Sequence, residues 1–356
     1  MSSTHTGPTL ESVAAAAGVS RQTVSNVLNA PERVATSTRQ RVEAIIEALN
    51  YRPNRLARSL RTRASRLLGY CVRPVTADAL NPVLDRFVHA VTEAAAEHGF
   101  HLLLFTAPSR AAGLDRYAEL LGQQAVDGFI LSDTEVGDPR HGWLAARNVP
   151  FVSFGRTWSG ADQGPWVDVD GAEGTSQAVN HLHDLGHRRI AFLGWPEGSG
   201  AGDDRLAGYR DACRRLGVPD LVVRAEQGME QGRQGAERLL ARPEPPTAVV
   251  CVSDVCAYGV LRALAERGLR PGHDVAVAGF DDTPAAALPG IELTSVAQPI
   301  EQVGRAVVRL LLAHLGVLDQ RGQTDHLLLQ PTLTVRASTV PAGVAGRCGS
   351  EEKETR

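Results

Sequence analysis

Long apolar runs are missing from this chain of 356 residues. None approaches the roughly 18 consecutive apolar residues that a spanning helix needs, so no membrane segment is expected. The opening residues, MSSTHTGPTL, have neither a basic stretch nor an apolar one. They do not read as a secretory signal, and a cytoplasmic, nucleoid-associated protein is the expectation. Cysteine is scarce. The five cysteines, at 71, 213, 251, 256 and 348, are scattered and odd in number, which argues against a disulfide framework. Cys251 and Cys256 lack the second ligand pair of a zinc site and read as small buried residues. Neither a nucleophile elbow nor a Walker sequence occurs. What is present, 43% hydrophobic and 22% charged residues, is the composition of a globular protein long enough for two or three domains.

Acid is the next thing in short supply, but only locally. Residues 1–66 carry ten arginines against four glutamates, a formal +6, while the rest of the chain is formally −9. A basic head on an acidic body is the footprint of a nucleic-acid-binding module. Three short helices fit that head. Thr9 can cap LESVAAAA, with Leu10, Val13, Ala14 and Ala17 as its apolar stripe and Gly18 as its stop. Ser20 can cap RQTVSNVLN, and a third helix from about Ser37 to Leu49 would bury Val42, Ile45, Ile46 and Leu49. Two helices joined by a tight turn and backed by a third form a helix-turn-helix. The second helix has two dissimilar sides. Val24, Val27 and Leu28 fall on one; Arg21, Gln22, Ser25, Asn26 and Asn29 fall on the other, with no acid among them. Arginine pairs with guanine edges, and glutamine or asparagine with adenine, so duplex DNA is the expected partner.

After the head, Pro53 ends the third helix, and Asn54 can cap a short helix from Arg55 to Leu60. From Leu67 the texture changes to apolar runs alternating with helical segments: LLGYCV, HLLLFTA, GFILSD, PFVSFG, RIAFLG, AVVCVSD and VAVAGF. That alternation predicts parallel sheets covered on both faces, with a ligand cleft at the strand ends. The segment after about Val340 reads as a disordered tail.

Taken with LLGY, VDGFIL, LGHRRIAFLG, RLAGYRDA, GLRPGHDVAVAGFDD and LTSVAQP, the head and linker give a chain that resembles the lactose-repressor/galactose-repressor family of bacterial regulators. The resemblance spans nearly residues 8–340. It implies an all-α helix-turn-helix head with a hinge helix, then an α/β body like periplasmic binding proteins, built of two Rossmann-like parallel-sheet subdomains. The implied boundaries are 8–52 for the head and 53–65 for the hinge. Residues 66–163 with 294–326 would form one subdomain, 164–293 with 327–340 the other, and 341–356 the tail. The chain would cross between subdomains near 162–165, 291–294 and 325–328.

The resemblance also implies roles. Arg21 and Gln22 would read bases, Asn26 would occupy the next base-reading turn where some relatives have arginine, and Thr9, Ser20, Ser25 and Asn29 would complete the DNA-facing set. Leu60 would wedge into the minor groove at the operator centre, with Asn54, Arg55, Ala57 and Arg58 around it. In the body, Arg205 would clamp the small molecule and Asp281 would accept from its hydroxyls. Ser253 stands where many relatives have asparagine, and Gly155 where some have an acid. Trp158, Trp166 and Trp195 are expected in loops, where they could stack on a sugar ring, and Asp254 is expected to support loop structure.

Enzymatic readings fare poorly. In GWPEGSGAGDDR the glycines do not form G-x-G-x-x-G, and Asp203 and Asp204 would confront a pyrophosphate. His181 and His183 point about 200° apart on a helix and cannot chelate together. No catalytic residue, cofactor or metal is expected. The chain reads as a homodimeric repressor of carbohydrate-utilisation genes that binds a palindromic operator and senses a sugar or glycoside. A purine-responsive repressor of the same fold, or a sugar-binding protein without an operator, are the alternatives.

Overall fold

The computed structural model describes residues 8–51, 64–72, 82–107, 113–160, 164–319, 322 and 324–339, with Asn29 described by its backbone alone. The expected hinge residues Asn54, Arg55, Ala57, Arg58 and Leu60, Cys348 and the 341–356 tail lie outside the described residues. The chain divides into two compact units, Met1–Ser65 and Arg66–Arg356.

In the first unit, α1 (Leu10–Ala17) starts with a capping box: the Ser12 amide donates to Thr9 Oγ1, and the Thr9 amide donates to Ser12 Oγ. Gly18, at φ 63°, ends α1 in the left-handed conformation that glycine adopts without cost. Helix α2 (Arg21–Asn29) is capped by Ser20, whose hydroxyl accepts from the Thr23 amide at 3.1 Å. Helix α3 runs Thr36–Ala48, one residue earlier than expected at each end. Val13, Ala14, Ala17, Val24, Val27 and Val42 form the core. Leu49 is not part of it. It caps the end of α3 and is 38% exposed, and after Asn50 turns the backbone at φ 47°, Tyr51 fills the core in its place.

Among its described residues the second unit holds two six-stranded sheets. In the first, all strands are parallel, in the order β11-β5-β4-β3-β1-β2, with β1 Leu67–Val72, β2 His101–Thr106, β3 Gly128–Leu131, β4 Phe151–Phe154, β5 Trp166–Val169 and β11 His326–Leu329. Period-two alternation sends Ile130 and Val152 to one face and Phe129, Leu131 and Phe151 to the other. The first face is covered by α4 (Pro82–Glu97) and α11 (Ile300–His314), and the second by α5 (Leu114–Gly122) and α6 (Pro139–Ala145). The second sheet has the order β12-β10-β9-β8-β6-β7, with β6 Ile190–Gly194, β7 Leu221–Arg224, β8 Ala248–Cys251, β9 Ala276–Asp281, β10 Thr294–Ala297 and β12 Thr332–Thr334. Around it pack α7 (Gly171–Asp184), α8 (Ala201–Leu216), α9 (Met229–Leu240) and α10 (Asp254–Glu266). Helices α7 and α8 approach so closely that a Cβ on Gly208 would collide with the Ala172 carbonyl.

The expected crossings and the expected sheet type need correction. Each crossing falls a strand later than expected: Trp166–Val169 pairs with β4, Thr294–Ala297 with β9, and His326–Leu329 with β5. The first lobe therefore keeps residues to 169 and regains the chain after 297, and the last crossing lies between 329 and 332. A glycine- and proline-rich loop marks a break in the chain, but it does not say which sheet the next strand will join. The second sheet is also mixed rather than parallel, because β12 runs antiparallel to β10. Strands β5, β7, β10, β11 and β12, of three or four residues each, lie outside the seven apolar runs read from the sequence.

Candidate DNA-reading face and ligand cleft

On the head, Arg21 and Gln22 are exposed on the first turn of α2, and Ser25 and Asn26 are half-buried on the next. Gln22 Nε2 donates to Asn26 Oδ1 at 2.9 Å, so the two amides act as one unit. The acid missing from α2 is supplied by its neighbour: Glu11 on α1 holds Arg21 at 2.8 Å, with both side chains well exposed. Thr9 and Ser20 spend an acceptor site on helix caps, and Ser20 Oγ also lies 2.9 Å from Thr23 Oγ1.

In the body, the carboxyl ends of strands from both sheets converge on one cleft. Asp133 and Thr134 follow β3, Gly155 and Trp158 follow β4, and Trp195 and Ser199 follow β6. Ser253 follows β8, Asp281 ends β9 and Gln298 follows β10; all of them line the cavity with Asp168, Asp204 and Arg205. Its backbone is strained. Asp133, Trp158 and Asp281 have φ of 55°, 57° and 117°, a region costly for side chains other than glycine. Gly155, at φ 105°, is required there, since a Cβ would strike the Thr134 hydroxyl.

Arg205 and Asp281 face each other at the floor, and each residue is only 7% exposed. The Arg205 guanidinium lies 3.7 Å from the Phe280 ring centroid, donates to the Val252 carbonyl at 2.5 Å and sits 3.7 Å from Asp281 Oδ1. That ion pair is loose. Gln298 Nε2 makes the tight contact with Asp281 Oδ1, at 2.7 Å. Burial outweighs the Arg205 charge and pushes the Asp281 carboxyl up to about 7, while burial also lowers the Arg205 guanidinium. Arg205 Nε, Trp195 Nε1 and Ser199 Oγ are buried and have no hydrogen-bond partner among the described residues. Buried donors left unpaired are costly, so such a cluster is built to meet acceptor atoms of something bound.

Other residues settle into structural roles. Ser253 lines the cleft but also caps α10, accepting from the Cys256 amide at 3.3 Å. Asp254 is fully buried and takes the Thr283 amide, the Thr283 hydroxyl and the Ser295 hydroxyl; burial pushes it up to about 6. Trp166 is not in a loop: it opens β5 and stacks on His326 with centroids 4.8 Å apart. His181 bonds Thr339, and His187 bonds Thr247. Asp203 holds the Gly198 amide and Arg224. Sequence reasoning missed Thr134, Arg156, Asp168 and Gln298 and named Asp204 only as an obstacle to phosphate; only Gln298 carried a signal, as the glutamine of LTSVAQP.

Comparison with known proteins follows the same division. A family model described as bacterial regulatory proteins, lacI family, matches residues 9–54, and one described as periplasmic binding protein-like domain matches 179–339. The HTH-type transcriptional regulator CelR of Thermobifida fusca is 36% identical over 336 residues, covering 93% of this chain and 98% of the relative. A solved transcriptional regulator CelR–cellobiose complex is 34% identical with a TM-score of 0.70, covering 93% of this chain and 99% of its own. The Lac repressor dimer bound to operator and the anti-inducer ONPF is 30% identical with a TM-score of 0.80, covering 94% and 99%. These proteins are regulators of transcription, not enzymes.

Proposed function

The chain belongs to the lacI family of bacterial regulatory proteins, and from that premise we propose that it represses carbohydrate-utilisation genes until a neutral sugar or glycoside fills its cleft. The observation that carries this reading is the loose Arg205–Asp281 pair among unpaired donors, which offers both donors and acceptors to a ring of hydroxyls. Charge favours a neutral ligand. Among the described residues, Asp133, Asp168, Asp204 and Asp281 line the cleft with Arg205 as their one arginine, so a phosphate or carboxylate would meet a mostly acidic wall. Trp158 and Trp195 supply apolar ring faces beside these groups.

On the DNA side, Arg21, Gln22 and Asn26 read base edges, while Thr9, Ser20, Ser25 and Asn29 fix the helix on the backbone. Leu60 wedges the minor groove, flanked by Asn54, Arg55, Ala57 and Arg58. Two copies of the chain read the halves of a palindrome in the cytoplasm, as the likeness to an operator-bound Lac repressor dimer supports. The cellobiose complex of a relative makes cellobiose the first ligand to test.

The test is a gel-shift titration on a site selected from a random library, with cellobiose, maltose, lactose, glucose, adenine and guanine added in turn. The expected result is salt-sensitive binding to a palindrome, weakened by one of the sugars and lost in Leu60→Ala. Tightening by a purine, or sugar binding by a protein indifferent to every DNA site, would overturn the reading.

A further inference from the structure

Arg156 does not line the cleft, yet it touches two residues that do. Its Nε donates to Asp168 Oδ2 at 2.8 Å, and its Nη2 donates to Asp204 Oδ2 at 2.8 Å. Asp168 lies on β5 in the first lobe, and Asp204 lies on the first turn of α8 in the second, so one guanidinium spans both lobes. The fork geometry matters here, because two nitrogens of fixed separation meet two carboxylates. A second contact runs beside it. Arg156 stacks over the Trp158 ring at 4.5 Å, and the indole, whose Nε1 donates to Thr134 Oγ1 at 3.0 Å, lies against Gly200 of the second lobe. A Cβ on Gly200 would come within 2.7 Å of that indole. The 195–204 segment is thus held to the first lobe at two points.

The same bonds decide what Asp204 can offer. Its Oδ2 is used by Arg156 and by the Ala172 amide at 3.1 Å, whereas among the described residues its Oδ1 has no hydrogen-bond partner. We propose that Arg156 is a positioning residue that clamps the two lobes across the cleft and, by occupying one oxygen of Asp204, presents the other to a ligand hydroxyl. The second half rests on the reading of the cleft as a sugar site; the clamp does not.

Amide hydrogen exchange on the full-length protein, without sugar, tests the clamp, since local opening is read segment by segment. In Arg156→Gln, residues 155–158 and 196–204 should exchange about tenfold faster while β6 and β8 stay unchanged, and Arg156→Lys should recover part of the protection. No change at 196–204 would overturn the clamp. If Arg156→Gln also loosens β6 and β8, Asp204→Asn decides: faster exchange confined to 196–204 supports the clamp, and its absence overturns it. Calorimetry with cellobiose tests the presentation of Asp204, with affinity expected to fall about tenfold in Asp204→Asn, as for a lost buried hydrogen bond. Unchanged affinity in that variant, or a wild type that ignores cellobiose, would overturn the presentation, and the exchange result is read independently of it.

Discussion

The head and the cleft handle charge in opposite ways. On the head, Arg21 and Glu11 meet at 2.8 Å with 69% and 65% of their side chains exposed. Such a pair contributes at most about 1 kcal/mol and is screened by salt, so a polyanion can displace the glutamate at little cost. In the cleft, Arg205 and Asp281 are each 7% exposed, and burial rather than pairing decides the direction in which each pKa shifts. An exposed face recognises by the number of cations it can offer, whereas a buried cleft recognises by which hydrogen bonds it leaves incomplete. One surface is therefore tuned by ionic strength and the other by ligand chemistry.

The contrast can be broken most forcefully at Asp254. Replacing it with alanine strips partners from the buried Thr283 amide and the Thr283 and Ser295 hydroxyls. A loss of about 3 kcal/mol is expected in urea melts followed by tryptophan fluorescence. All four tryptophans, at 143, 158, 166 and 195, lie in the body, so that signal leaves the head out. A melt unchanged from the wild type would mean that the buried network carries no such weight.

The buried acids also impose a dependence on pH. Asp281 and Asp254 are raised from 3.8 to about 7 and about 6, so between those values the folded protein binds more protons than the unfolded chain. Their contribution to stability is then greatest below pH 4 and is lost as pH rises through 7. Asp281→Asn should flatten that fall in a series of melts; a slope equal to that of the wild type would count against the buried acid.

On the head, Gln22→Ala should weaken operator binding about tenfold at fixed salt, with nearly the same salt slope, because in the proposed reading it removes a base contact and not a cation. Fluorescence anisotropy at several salt concentrations would separate the two effects. Least of all, Glu11→Gln should tighten operator binding by about twofold or less, and the gain should fade as salt is added. A gain that persists in high salt would show that the Arg21–Glu11 pair is not a screened surface contact.

Much of the head was legible because its signals are local. Thr9, Gly18 and Ser20 do their work within four residues of where they stand, and the polar face of α2 follows from helical spacing alone. Leu49 and Tyr51 were not separable in this way. Helical spacing continues through Leu49, and only the turn at Asn50 brings Tyr51 into the core. In the body, Arg205 and Asp281 were found because they sit in the segments RLAGYRDA and GFDD, which the family resemblance covers. Gln298 sits in LTSVAQP, another segment that the resemblance covers, yet went unnamed, whereas Arg156 and Asp204 gave no sign of acting at the cleft.

The amino-acid order by itself determined that a basic, three-helix head precedes an alternating strand-and-helix body, since caps, spacing and composition act over a few residues. Only the folded body decided which sheet receives 166–169, 294–297 and 326–329, and that Arg156 reaches Asp168 and Asp204, 12 and 48 residues away along the chain. The physical reason is that strand pairing and buried charge depend on neighbours far apart in the chain, and those neighbours exist only once the two lobes have formed.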